Sequence, residues 1–142
     1  MLAKGITPIL NVTSLVQSFE WFAKLGWRKC WDWKGDPDSP DVPTFGAVAS
    51  GEFELFLCKD SQGGRGRSHL KMTGGPDGSD AADKGVWMSI WVEDVDAVHR
   101  ECLAQGIEVT FPPTDEPWGV REMHIRHPDG HVFRISKGKE EK

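Results

Sequence analysis

The sequence predicts an α+β fold in which one βαβββ unit is used twice. The chain repeats its hydrophobic pattern at an offset of 80 residues without a net gap, as when Ile9 to Leu15 lies over Ser89 to Val95 and Phe53 to Phe56 lies over Phe133 to Ser136. Self-similarity at a fixed offset is the signature of a supersecondary unit used more than once. Each copy also opens with a β-rich run that feeds a capped amphipathic segment. Three further β-rich runs, separated by turn residues, follow in each copy.

The first strand is predicted over Ile6–Val12, and Ser14 with Gln17 three residues on gives the capping-box pattern for a helix over Val16–Gly26. Leu15, Phe19, Phe22 and Ala23 recur at helical spacing and mark its apolar face. Gly26 suits the left-handed position that ends a helix. Runs over Trp27–Trp33, Pro43–Ala49 and Glu52–Cys58 complete module one, with Ser50-Gly51 joining the last two. Module two repeats the order: a strand over Val86–Val92, cap Asp94, a helix over Asp96–Gly106 and runs over Ile107–Phe111, Gly119–His127 and His131–Ser136. Val95, Val98 and Cys102 give the face of the second helix. His127-Pro128-Asp129-Gly130 has the residues of a tight hairpin turn. Residues 59–85 hold seven glycines without apolar periodicity and read as a linker, with a lid as one role for it; the charged end, 137–142, reads as frayed.

At 142 residues the chain is sized for a single domain over 1–142, with module one at 5–58 and module two at 86–137. A formal charge of −5 disfavours nucleic acid and anionic membrane as partners and suits a neutral or cationic small molecule. No apolar run approaches a membrane span. Cys30, Cys58 and Cys102 form no CxxC pair and read as reduced, buried thiols of a cytoplasmic protein. His124, His127 and His131 crowd one hairpin, but alternation turns the first two to opposite faces, so they read as surface histidines at a turn rather than a metal cluster. His69 reads as a loop residue. Seven tryptophans beside seven phenylalanines and no tyrosine are unusual, and they call for an aromatic face or an interface.

Two segments resemble the vicinal oxygen chelate superfamily, which includes glyoxalases, bleomycin resistance proteins and extradiol dioxygenases. Trp118-Gly119, Arg121 and His127-Pro128-Asp129-Gly130-His131 are similar to its C-terminal signature, and Ser18-Phe19-Glu20-Trp21-Phe22 with Leu25-Gly26-Trp27 to its N-terminal one. The resemblance implies paired modules whose sheets curve into a cup, commonly within a homodimer. It also implies four metal-ligand positions, which fall on Thr7, Glu54, Trp87 and Arg134 here. One carboxylate beside a guanidinium is a poor donor set for a divalent ion. The expected cofactor is therefore none. Glu54 and Arg134, taken as equivalent, are expected to pair where a metal would sit.

Alternation assigns Thr7, Ile9 and Asn11 to the cup face of the first strand and Trp87, Ser89 and Trp91 to that of the fifth. Glu54, Phe56, Glu122, His124 and Arg134 follow on the later strands. With Trp31, Trp33 and Trp118 these give the candidate ligand-binding set Trp31, Trp33, Glu54, Phe56, Trp87, Trp91, Trp118, Glu122, His124 and Arg134. Aromatics with carboxylates suit a flat cationic ligand held by stacking and cation–π contacts. The metal-poor, Trp-rich face most resembles the bleomycin resistance branch. The expectation is a non-enzymatic antibiotic-binding protein that sequesters a bleomycin-type or other planar cationic antibiotic. The alternative is a glyoxalase- or dioxygenase-like lyase or oxidoreductase with a relocated metal site, or one using a bare acid–base residue such as Glu54 or Glu122.

Overall fold

The structure, a computed structural model, describes residues 1–66 and 85–138. Most of the glycine-rich linker, His69 and the last four residues lie outside that range. The chain divides into two compact units, Met1–Gly64 and Arg65–Lys142. Each is a four-stranded sheet with one helix, so the predicted pair of βαβββ modules is present.

In unit one, β1 (Ile9–Val12), α1 (Leu15–Lys24), β2 (Arg28–Trp33), β3 (Phe45–Ser50) and β4 (Phe53–Lys59) form a sheet of order β1-β4-β3-β2. The β1–β4 pairing is parallel and the others are antiparallel. In unit two, β5 (Trp87–Trp91), α2 (Val95–Gln105), β6 (Glu108–Asp115), β7 (Val120–Arg126) and β8 (Val132–Gly138) repeat it in the order β5-β8-β7-β6.

Local chemistry accounts for the boundaries. Ser14 Oγ accepts the Gln17 amide at 3.1 Å, and Asp94 Oδ1 accepts the Ala97 amide at 3.0 Å, satisfying helix-start donors. At the end of α1, Gly26 turns left-handed at φ 82° and the Trp27 amide returns to the Phe22 carbonyl, a Schellman closure. Gly130, at φ 86°, closes the β7–β8 turn through its amide to the His127 carbonyl. A side chain there would collide with the backbone of Gly66, whose amide bonds the Asp129 carbonyl at 2.7 Å.

Each helix covers one face of its own sheet. Leu10, Val12, Leu15, Phe22, Leu55 and Leu57 form the core of unit one, and Val95, Cys102, Ile107, Met123, Ile125, Phe133 and Ile135 that of unit two. On α1, Trp21 is buried and Ala23 exposed, the reverse of the expected face, because the bulkier ring packs edge-on against Phe22.

Four further expectations are corrected. β1 begins at Ile9, so Thr7 lies before the sheet rather than on its face. Asn11 is buried, its side chain clasping the start of the linker through the Ser61 and Gly63 carbonyls and the Ser61 amide. Cys30 is exposed, because β2 is an edge strand with a register shift between Lys29 and Trp31 that turns the thiol outward. His127 and His131 are fully buried, not on the surface. The backbone satisfies them: His127 Nδ1 accepts the Asp129 amide and His131 Nδ1 the Val86 amide, both at 3.0 Å.

Candidate functional site

The face of the unit-two sheet opposite α2 carries a polar network on three adjacent strands. Register places Ser89 beside Arg134, and Arg134 beside His124. Glu122, two residues before His124, shares its face by strand alternation. Arg134 grips Glu122 with both arms, Nε to Oε2 at 2.6 Å and Nη2 to Oε1 at 3.1 Å. Its remaining Nη1 donates to Ser89 Oγ at 3.2 Å. Glu122 Oε2 also meets His124 Nε2 at 2.9 Å. The Glu122 side chain is only 4% exposed and that of Arg134 17%. A carboxylate so buried survives because every one of these contacts favours its charged form.

The titration properties follow. The hydrogen bonds from Arg134 hold the Glu122 carboxyl below its ordinary range; burial opposes this and His124 reinforces it. Glu122 in turn raises the already high pKa of Arg134, with a smaller Coulombic contribution from Glu116. Glu122 is thus a fixed anion, ill suited to giving or taking a proton.

Around this floor lies a cavity of about 550 Å³. Trp87, Phe111 and Trp118 supply its aromatic lining, while Ser89, Glu116, Glu122, His124 and Arg134 supply the polar groups. Trp87 and Trp118 are each about two-thirds exposed. The His124 ring lies 5.0 Å from Phe111 and 6.2 Å, edge-on, from Trp87. Trp91, next along the face, stands 6.0 Å from the Arg134 guanidinium carbon, within cation–π range.

Of the candidate residues, Trp87, Trp118, Glu122, His124 and Arg134 therefore share one cavity, and Trp91 adjoins it. Trp31, Trp33, Glu54 and Phe56 belong to unit one. There Trp31, Phe45 and Phe56 form a cluster with centroids 5.3 to 5.5 Å apart, whereas Trp33 is largely exposed on the edge strand. Phe111 and Glu116 line the cavity but were not among the candidates. The 80-residue offset carries Trp31 onto Phe111 and could have found it. Met88, expected in the core, lines the cavity from the edge strand β5.

Register also corrects the expected equivalence of Glu54 and Arg134. Ile9 and Ser89 correspond at the offset, yet Ile9 pairs with Phe56 and Ser89 with Arg134. Phe56 is therefore the counterpart of Arg134, and Glu54 that of Val132. Arg134 finds its carboxylate within its own unit, in Glu122. The four inherited ligand positions then read Thr7, Phe56, Trp87 and Arg134. An indole, a phenyl ring and a guanidinium offer no lone pair to a hard or borderline cation, so these residues do not fit a metal. Among the described residues, no three His, Cys, Asp or Glu side chains gather elsewhere as such a site.

A family profile for the glyoxalase/bleomycin resistance protein/dioxygenase superfamily matches residues 5–135. The chain belongs to that superfamily. Among solved structures of the superfamily's fold, it is similar to a glyoxalase-related enzyme from Clostridium phytofermentans (19% identity, TM-score 0.69, 98% of each chain covered). It is also similar to TioX from Micromonospora sp. ML1 (18% identity, TM-score 0.66, covering 98% of this chain and 99% of the other). A third is a bleomycin-binding protein in complex with bleomycin (15% identity, TM-score 0.65, covering 96% and 100%). At such identities the superfamily likeness is one of fold. A search of curated proteins finds no match. No helix among the described residues is long and apolar enough to cross a membrane.

Proposed function

We propose that this protein binds a planar, cationic small molecule without a metal and without turning it over, sequestering an antibiotic of the bleomycin type or a ligand of like chemistry. The observation that carries this reading is the Arg134–Glu122 pair at the floor of an aromatic cavity. Arg134 falls on one of the four positions where the resemblance implies a metal ligand, and each of its guanidinium nitrogens is bonded. Trp87 and Trp118 offer exposed indole faces, and flat cations gain from stacking on them. Charge supports the same class: Arg134 and Glu122 cancel, which leaves Glu116 as the uncompensated charge of the lining. Titration with a bleomycin-type drug, followed by tryptophan fluorescence, should give saturable quenching that Trp87→Ala weakens. Elemental analysis should find no stoichiometric nickel, zinc, iron or manganese. About one tightly held ion per chain, or consumption of the ligand, would favour the enzymatic alternative instead.

The exposed indoles Trp87, Trp91 and Trp118 also support self-association, since monomeric proteins seldom leave such apolar area uncovered. The proposed assembly is a cytoplasmic homodimer with two equivalent pockets. A concentration-independent mass near 16 kDa in sedimentation equilibrium would contradict it.

A further inference from the structure

Among the described residues, His124 is the one ionisable group of the cavity lining with a nitrogen that has no hydrogen-bond partner. Its Nε2 meets Glu122 Oε2 at 2.9 Å, and Glu122 is a carboxylate held ionised by two bonds from Arg134. An ionised carboxylate only accepts hydrogen bonds, so Nε2 must carry the proton that joins them. In the neutral ring Nδ1 is then a bare acceptor. Nδ1 makes no hydrogen bond among the described residues, while the ring is wedged between Phe111 and Trp87 in the cavity wall. The side chain is 25% exposed, enough for a ligand atom to reach it. Ser89, Arg134, Glu122 and His124 thus form a single relay that fixes both the tautomer and the direction of one lone pair.

We infer that His124 Nδ1 is the specificity-determining acceptor of this pocket, selecting planar aromatic cations that carry an N–H donor, such as amidinium or amino-heteroaromatic groups, over those whose charge is fully alkylated. This rests on the stacking reading above and narrows its ligand class. Stacking and net charge alone cannot tell an amidinium from a quaternary ammonium, because neither needs a directed lone pair. A hydrogen bond from a charged donor to Nδ1 can, and its absence leaves that nitrogen desolvated beneath the ligand. Arg134 and Ser89 are positioning residues here: they hold Glu122, and Glu122 holds the ring.

Two measurements test it on the intact protein. Long-range ¹H–¹⁵N NMR of histidine-labelled protein at about pH 8 should show His124 as the Nε2–H tautomer. An Nδ1–H tautomer or a persistent imidazolium would overturn the inference without any ligand. In parallel, benzamidinium and phenyltrimethylammonium are titrated by tryptophan fluorescence. Benzamidinium should bind about tenfold more tightly, and in His124→Phe, which keeps an aromatic ring against Phe111, the preference should vanish while both still quench. Equal affinities in the native protein would overturn the role of His124 and leave the stacking pocket standing. Absence of binding by both would overturn the pocket reading and this inference together.

Discussion

The two units carry one scaffold and opposite chemistry on corresponding faces. Strand register sets Ile9, Trp31, Phe45, Ala47 and Phe56 of unit one against Ser89, Phe111, Glu122, His124 and Arg134 of unit two. In unit one the face closes on itself: Trp31, Phe45 and Phe56 pack as a ring cluster, and Ala47, between Trp31 and Phe56 in the register, is fully buried. In unit two the same stations hold a carboxylate, an imidazole and a guanidinium that bond to one another and leave a cavity above them. Even the strand irregularity recurs, between Lys29 and Trp31 in β2 and between Val109 and Phe111 in β6, aiming an aromatic ring from each edge strand. The difference teaches that a duplicated sheet can devote one copy's face to apolar packing while the other specialises. That division is possible because neither face is needed to bury its helix.

Exchanging residues between the copies is the strongest way to break this comparison. Arg134→Phe places the unit-one residue in unit two and leaves Glu122 a buried carboxylate without its guanidinium. It should cost about 3 kcal/mol in urea unfolding, the lower end of the range for broken buried pairs, because water enters the cavity and His124 still bonds the carboxylate. Adding Glu122→Phe removes the stranded charge and should restore much of the loss, since hydrophobic replacement of a whole ion pair is often near neutral. A double variant no more stable than the single one would show that the two faces are not interchangeable.

A smaller effect appears in acid. Glu122 has its carboxyl pKa depressed below the ordinary 4.5, first by Arg134. A depressed pKa contributes stability that is complete above 4.5 and is lost as pH falls through the folded value. The corresponding station of unit one is Phe45, which carries no titratable group. Between about pH 5 and 3, Arg134→Ala should therefore lose less stability than the native protein. Parallel acid profiles would contradict the pairing.

The smallest effect is chemical and leaves the fold intact. Cys30 stands exposed at the β2 irregularity, whereas burial pushes the Cys102 thiol up to about 11. A disulfide reagent such as DTNB at about pH 8 should modify Cys30 at once and Cys102 only on unfolding. Equal rates would mean that α2 opens readily in the native state.

Much of this is legible in the sequence alone. The offset gave the duplicated module and both helix caps, and strand alternation put Trp87, Ser89, Glu122, His124 and Arg134 on one face. What escaped were features of hydrogen bonding between segments. The β3–β4 turn links Ser50 directly to Phe53 in register, while the β7–β8 turn spans Arg126 to Val132. The longer turn adds one position, but the β6–β7 connection is three shorter than β2–β3, with Phe111 and His124 13 positions apart where Trp31 and Ala47 are 16 apart. The last strand therefore slips by two against a gapless offset, and Glu54 looks like the counterpart of Arg134. Likewise His127 and His131 look like surface turn residues because a sequence does not display the amides that bury them. Cys30 reads as a core thiol because an edge-strand irregularity has no residue signature of its own.

The most direct test of the central claim, that unit two's polar face is the ligand site, is a ¹H–¹⁵N titration of the seven tryptophan indole resonances with a bleomycin-type drug. The indoles of Trp87 and Trp118 should shift first and saturate together, followed by Trp91 beside Arg134, while Trp21, buried against α1's own core, stays still. Shifts that leave Trp87 and Trp118 unmoved, with the response confined to Trp31 and Trp33, would place the site on unit one and contradict the account.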